Sequence, residues 1–193
     1  MSLKLITGPA SEPVSLADAK AQLRVDASDD DLLITSLVSA AREHVEMVTR
    51  RALFTQTWEV RFDAWPATPF RLPLAPLQSV ASIKYLDEAG SEFTVATSVY
   101  GVDINSEPGR VYLKPNQNWP SAALYPYEAV RIQFVAGWST TAAVPATIRA
   151  ALLLAVGHLY ENREQVIVAS GLSAVNLPMG FYDLLAGWRV WEF

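Results

Sequence analysis

Leu16, Ala19 and Leu23 recur at helical spacing, and Ser15 with Asp18 three residues later matches a capping box, so a helix is expected from Ser15 to about Val25. The run Asp26-Ala-Ser-Asp-Asp-Asp31 then supplies a turn and a second helix start, where carboxylates face the positive end of the helix dipole. Leu33, Leu37, Ala41, Val45 and Val48 form the apolar stripe of that helix, with Arg42, Glu43 and Glu46 off it. It should run from about Asp30 to about Thr49.

From Leu53 the period changes. Trp58, Val60 and Phe62 alternate with Thr57, Glu59, Arg61 and Asp63, one apolar face every second residue, as in a half-buried strand. Eight of the twelve prolines lie between Pro66 and Pro126, a density that helix interiors reject because proline lacks an amide donor and clashes with the preceding turn. Further strands are expected at Val80 to Leu86, Glu92 to Ala96, Gly109 to Lys114 and Ala129 to Ala136, with Asp87-Glu-Ala-Gly90 as a hairpin turn. Helical spacing returns after Pro145, where Ile148, Leu152, Ala155 or Val156, and Leu159 carry a helix to around Glu164. Apolar residues wrap nearly all round this helix, which suits the centre of a bundle or a position between subunits. A short helix around Phe181 to Ala186 precedes the tail Trp188-Arg-Val-Trp-Glu-Phe193.

The pattern is that of an α+β protein: a helical scaffold built from both ends of the chain, residues 1–52 and 141–193, with an antiparallel β region, 53–140, inserted between them. A length of 193 residues suits one domain with a sizeable insertion, at about 150 residues per domain. Hydrophobic residues make up 51% and charged residues 18%. An isolated domain usually carries about 25% charged residues, so some apolar surface is expected to face other subunits.

The net charge of −5 is spread along the chain, and the nearest thing to a basic cluster is the pair Arg50 and Arg51. Tight sequence-independent binding to nucleic acid needs clustered Lys or Arg to displace counterions. Passive passage of DNA past an acidic wall is compatible with this composition. Zero cysteines remove disulfides, thiolate nucleophiles and sulfur-ligated metals. The start MSLKLITGPASEP lacks the basic and apolar regions of a secretion signal, and the uncharged stretch Ala150 to Tyr160 is well short of a membrane span, so a soluble intracellular product is expected.

Catalytic signatures are sparse. The nine glycines are scattered singly, with no nucleophile elbow, phosphate loop or dinucleotide fingerprint, so no catalytic residue and no cofactor is assigned. Asp26, Asp29, Asp30 and Asp31 lack the glycine and the closing glutamate of a calcium loop, and capping explains them better. His44 sits beside Glu43, while His158 and Glu161 share a helix face, the material for a carboxylate and imidazole metal site. A di-metal bundle normally shows two Glu-x-x-His motifs, and this chain has none, so no metal ligand is assigned. Six tryptophans without interleaved basic residues favour packing over base stacking.

Several phrases together carry a resemblance over nearly the whole chain. They are Pro13-Val-Ser-Leu-Ala-Asp-Ala-Lys20 with Leu23-Arg-Val-Asp26, the acidic start of the second helix, Thr55-Gln-Thr-Trp58, Leu72-Pro-Leu-Ala-Pro-Leu-Gln-Ser-Val80 and Ser106-Glu-Pro-Gly-Arg-Val111. Phe134-Val-Ala-Gly-Trp138, Pro145 with Ile148, Gly157-His-Leu-Tyr-Glu-Asn-Arg-Glu164 and Arg189-Val-Trp191 follow in order. The sequence resembles the head-tail connector (head-completion adaptor) proteins of tailed bacteriophages and gene transfer agents.

The resemblance implies a non-enzymatic structural protein of the virion head-tail junction, assembled in the host cytoplasm. Such proteins form a homo-oligomeric ring, typically dodecameric, although a lone chain without its portal is compatible with a monomer. The ring docks beneath the portal protein, extends the channel through which double-stranded DNA passes without sequence-specific binding, and offers a platform to a stopper or tail-completion protein. No membrane partner is implied. The resemblance also suggests Trp188, Val190, Trp191 and Phe193 for portal docking and Leu152, Val156 and Leu159 for the subunit interface, with core packing as the competing reading of both sets. The long β insertion departs from the shortest, nearly all-helical members. Two other classes fit less of the chain: a metal-binding helical-bundle enzyme, and another virion ring protein such as a stopper or tail terminator, which are mostly β barrels.

Overall fold

The computed structural model describes residues 1–162 and 179–191. In chain order the elements are β1 (Ser2–Thr7), α1 (Leu16–Leu23), α2 (Asp31–Thr49), β2 (Gln56–Phe62), β3 (Phe70–Arg71), β4 (Leu77–Leu86), β5 (Glu92–Thr94), β6 (Tyr100–Asp103), β7 (Arg110–Leu113), β8 (Val130–Ala136), α3 (Ala146–Glu161) and α4 (Met179–Ala186). The fold is α+β, with helices toward both ends of the chain and a β region that is inserted between them except for β1, which precedes α1; every described strand pairing is antiparallel. The chain divides into two compact units: Met1–Ala10 with Phe54–Ser139, and Ser11–Leu53 with the described residues from Thr140 onward.

In the helical unit, local chemistry sets the element ends. Ser15 Oγ accepts the Asp18 amide at 3.1 Å while Asp18 Oδ2 accepts the Ser15 amide at 3.2 Å, the reciprocal capping box that opens α1. Arg24 and Arg50, both in the left-handed region, close α1 and α2. The buried face of α2 is Ile34, Val38, Ala41, Arg42, Val45 and Thr49, whereas Leu33, Leu37 and Val48 are half-buried. The apolar stripe read from the sequence is therefore turned by about one position, because Arg42 is drawn into the interior. From α3, Ile148, Ala151, Leu152, Ala155 and Val156 complete this core, joined by Phe181 and Leu185 of α4.

In the β unit, one sheet has the strand order β1-β2-β8-β4-β5 and a second has β3-β7-β6. The central strand β8 alternates strictly: Val130, Ile132, Phe134 and Ala136 are buried and the residues between them half-buried. Its partners set Val60 and Ile83 against Ile132. The β4–β5 hairpin turns at Asp87 to Gly90, where the Gly90 amide donates to Asp87 O at 2.9 Å with φ +80°. After β8, Gly137 takes φ +107°, and a Cβ there would lie 2.1 Å from the Phe54 carbonyl oxygen, so only glycine fits the Phe134-Val-Ala-Gly-Trp138 phrase. Strands β1, β3 and β6 have no counterpart in the sequence reading. Every residue of β1 is exposed, so no inward alternation marks it. It is held by pairing with β2 and by Ser2 Oγ donating to Glu128 Oε1 at 2.7 Å. Trp65 and Trp119 stack nearly parallel with centroids 4.8 Å apart, which places these two tryptophans in packing.

Candidate docking surfaces

The four tail residues suggested for portal docking separate into two kinds. Trp188 is bound to its own helical unit: its carbonyl accepts from Arg51 Nε at 2.6 Å, its Nε1 donates to Thr147 Oγ1 at 2.8 Å, and the Arg51 guanidinium lies 5.6 Å from its ring centroid. The Val190 amide donates to the Thr49 carbonyl at 3.0 Å, satisfying one of the acceptors that a helix C-terminus leaves open. Trp191 is 57% exposed, and the Arg189 guanidinium covers its ring at 4.6 Å from the centroid. Phe193 lies outside the described residues.

Of the three residues suggested for a subunit interface, Leu152 and Val156 are buried within the chain's own helical core, and Leu159 is half-buried. α3 packs against α1, α2 and α4, and the face bearing Leu152 and Val156 is spent on those contacts. Their apolar character is thus accounted for inside one copy, leaving Leu159 as the member of the set with surface to offer.

The buried ionic group at Arg42 was not anticipated. Arg42, only 7% exposed, donates from Nε to Glu12 Oε2 at 2.8 Å and from Nη1 to Glu46 Oε2 at 2.8 Å. Glu46 Oε1 accepts the Leu53 amide at 2.8 Å, and Glu12 Oε1 accepts from Ser39 Oγ at 2.9 Å. Burial alone would lower the Arg42 pKa, but Glu46 and Glu12 outweigh it and hold the guanidinium above its ordinary value. The sequence signal was present in the Arg42/Glu46 spacing of four, which on a helix makes neighbours; the Glu12 contact needs the fold.

The aspartate run is partly structural. Asp31 pairs with Lys20 at 2.6 Å, and Asp30 Oδ2 accepts from Tyr160 OH at 2.5 Å, while Asp26 and Asp29 are exposed. His44 stacks on Phe181 with centroids 5.5 Å apart, joining α2 to α4. His158 faces Asn162, whose Nδ2 donates to the His158 carbonyl at 2.9 Å. Among the described residues no three His, Asp or Glu side chains converge as a metal ligand set, and no helix is long and apolar enough to cross a membrane. In the β unit, Asp103 accepts from Ser106 Oγ, from Arg110 Nη2 at 2.7 Å and from the Asn105 amide at 3.0 Å, and these bonds hold its carboxyl well below the usual carboxylate range. Ser106 and Arg110 belong to the Ser106-Glu-Pro-Gly-Arg-Val111 phrase, and their bonds to Asp103 just before it give those two positions a role in fixing the turn.

Comparison with known proteins gives one family and a consistent set of folds. The family model described as "Phage gp6-like head-tail connector protein" matches residues 13–111, from the segment before α1 into β7 and more than half of the chain. A chain in the structure "Virion of native gene transfer agent (GTA) particle" is 23% identical with a TM-score of 0.79, covering 100% of this chain and 97% of that one. A chain from "Neck of empty GTA particle computed with C6 symmetry" is 24% identical with a TM-score of 0.81, and one from "Neck of native GTA particle computed with C12 symmetry" is 24% identical with a TM-score of 0.78, each with the same coverage. At these identities the likeness establishes a shared fold over both units. No curated protein sequence matches significantly. With the family model spanning α1 to β7, and helical arms around an antiparallel insertion rather than a β barrel, this chain belongs to the phage gp6-like head-tail connector family.

Proposed function

We propose that this chain is a non-enzymatic adaptor of the head-tail junction: about twelve copies close into a ring beneath a portal protein, extend the DNA channel and present a platform to a stopper or tail-completion protein. It is made in the host cytoplasm and ends in the virion. The observation that carries this reading is the likeness to chains of particle necks, which runs over the full length of this chain and not over one unit alone. Membership of the connector family supports it independently.

The charge is compatible. A ring of chains each at −5 repels the phosphate backbone and lets it slide, whereas a basic lumen would hold it. The two units are read as a helical connector core and an inserted β domain. In the tail, Trp188 and Val190 fix where the chain emerges, and Trp191 is the residue assigned to portal contact, being exposed beside that anchor.

Native mass spectrometry of the protein with and without its cognate portal tests the reading. A discrete complex of portal with about twelve copies is expected. Persistence of free chain at every ratio and concentration would contradict it.

A further inference from the structure

The five-stranded sheet of the β unit ends in two open edges, β1 on one side and β5 on the other, and every residue of both strands is exposed. An edge strand presents backbone amides and carbonyls that a further strand can pair, unless it is short, charged or bulged. In β1 the register is regular from Ser2 to Leu5 and shifts only between Leu5 and Thr7. That leaves a stretch about as long as β5. Register also sorts the side chains by face. Leu3 lies opposite Val60 and Leu5 opposite Trp58, in rows that continue through Ile132 and Phe134 of β8 to Ile83 and Val80 of β4. This is the core face, since Val60, Ile83, Ile132 and Phe134 are buried. Phe93 of β5 joins it at the far edge, opposite Tyr85 and stacked on that ring with centroids 5.4 Å apart. Leu3, Leu5 and Phe93 are nonetheless between 40% and 46% exposed. The apolar face therefore runs out to both edges of the sheet and is uncovered at each.

The opposite face carries charge of opposite sign at the two edges. Lys4, the one charged residue of β1, lies opposite Glu59, which is engaged by Arg61 at 2.7 Å, and Lys4 makes no ion pair among the described residues. At the other edge Glu92 bonds Lys84 through Oε1 at 2.6 Å, while its Oε2 stands 3.6 Å from Arg131, too far for a hydrogen bond. Strand direction restricts the ways two sheets can join. Pairing is antiparallel at every step of the order β1-β2-β8-β4-β5, so with five strands the two outer ones run the same way. A second copy that continues the sheet with its core face on the same side brings β5 to β1 as a parallel neighbour. The alternatives are poorer: β1 against β1 sets Lys4 against Lys4, β5 against β5 sets Glu92 against Glu92, and either leaves the other edge open.

We propose that β1 of one copy pairs in parallel with β5 of the next, with Leu3 and Leu5 beside Phe93 on the core face and Lys4 beside Glu92 on the other. This deepens the ring reading above and rests on it. The contact joins two different edges, so it is heterologous, and its repetition closes into a ring when the rotation allows. One contact then covers both open edges of every copy. The occupant follows from complementarity on both faces: apolar side chains meet apolar ones, and the cation at one edge meets the carboxylate at the other.

Hydrogen–deuterium exchange of the wild-type chain, as single copies and as rings, tests the pairing without altering a side chain. The amides of Ser2 to Leu5 and of Glu92 to Thr94 are expected to slow together, by about tenfold or more, when rings form. The absence of cysteine allows a second test of which edge meets which. The double variant Leu3→Cys/Phe93→Cys, oxidised in assembled protein, is expected to give a ladder of covalent multimers, while each single variant stops at a dimer. Within one copy β1 and β5 are four strand spacings apart, about 19 Å. A disulfide spans about 7 Å between Cα atoms, so every bond formed joins two copies. Rings in which either edge keeps its free exchange rate, or rings of the double-cysteine protein that give no ladder, would overturn this contact and leave the ring reading standing. Slowing at Ser2 to Leu5 that appears only when portal is added would assign the edge to the portal and make the second-copy assignment wrong. Wild-type chain that never self-associates, with or without portal, would overturn both.

Discussion

Arg42 and Glu12, thirty residues apart in sequence, meet at 2.8 Å and tie the segment before α1 to the middle of α2. A buried guanidinium is tolerated only when its charge and donors are met, and here Glu12 and Glu46 meet them from two directions. Replacing Arg42 by Ala leaves both carboxylates without their counter-ion. The expected loss is about 3 kcal/mol in chemical denaturation. Arg42→Lys, which keeps the charge but not the fork, should lose part of that. A loss below about 1 kcal/mol for Arg42→Ala would show that the network contributes little.

Asp103, Glu128 and Asp18 all titrate below their ordinary values in the folded chain: Asp103 through Ser106 and Arg110, Glu128 through Arg61 and Ser2, and Asp18 through Ser15. A carboxyl whose folded pKa is depressed adds stability above its unfolded pKa and loses it as pH falls toward the folded one. The melting temperature should therefore be nearly flat from neutral pH to about pH 5 and fall steadily below about pH 4. Asp103→Asn should show a shallower acid decline than wild type. Identical slopes for the two would contradict the Asp103 assignment.

Gly137 and Gly90 both have positive φ but differ in surroundings. A Cβ at Gly137 meets the Phe54 carbonyl oxygen at 2.1 Å, while at Gly90 nothing lies within 4 Å. Gly90→Ala should cost about 1 kcal/mol, the backbone penalty alone. Gly137→Ala should cost clearly more, about 3 kcal/mol, because a backbone atom must move. Equal losses in denaturation would show that the close approach after β8 is relaxed in solution.

Trp188 and Trp191 are expected to behave oppositely. Trp188→Ala removes the contacts to Thr147 and Arg51 and should lower stability by about 2 kcal/mol. Trp191→Ala should leave stability within about 0.5 kcal/mol of wild type while weakening portal binding about tenfold. Unchanged portal affinity in Trp191→Ala would remove Trp191 from the docking surface.

What was legible in the sequence is what local physics decides. Ser15 with Asp18, the Asp87 to Gly90 turn and the alternation around Phe134 each specify their geometry within a few residues. Order and spacing of short phrases carried the family. What was not legible depends on partners distant in sequence. β1 exists because β2 offers an edge, so its own residues, all exposed, show no inward face. The buried face of α2 turned toward Arg42 because Glu12 arrives there, and nothing in the stripe of Leu33 and Leu37 foretells that. Leu152 and Val156 were suitable for either a core or an interface by composition, and only the packing of α3 against three other helices decides that they are internal.

Electron microscopy of this protein mixed with its cognate portal bears most directly on the connector account. The expected result is a portal carrying an added closed ring with rotational symmetry, its repeating density fitting the helical unit and the β unit described above. Bare portals beside unassociated single chains, at concentrations where both proteins are folded, would contradict it.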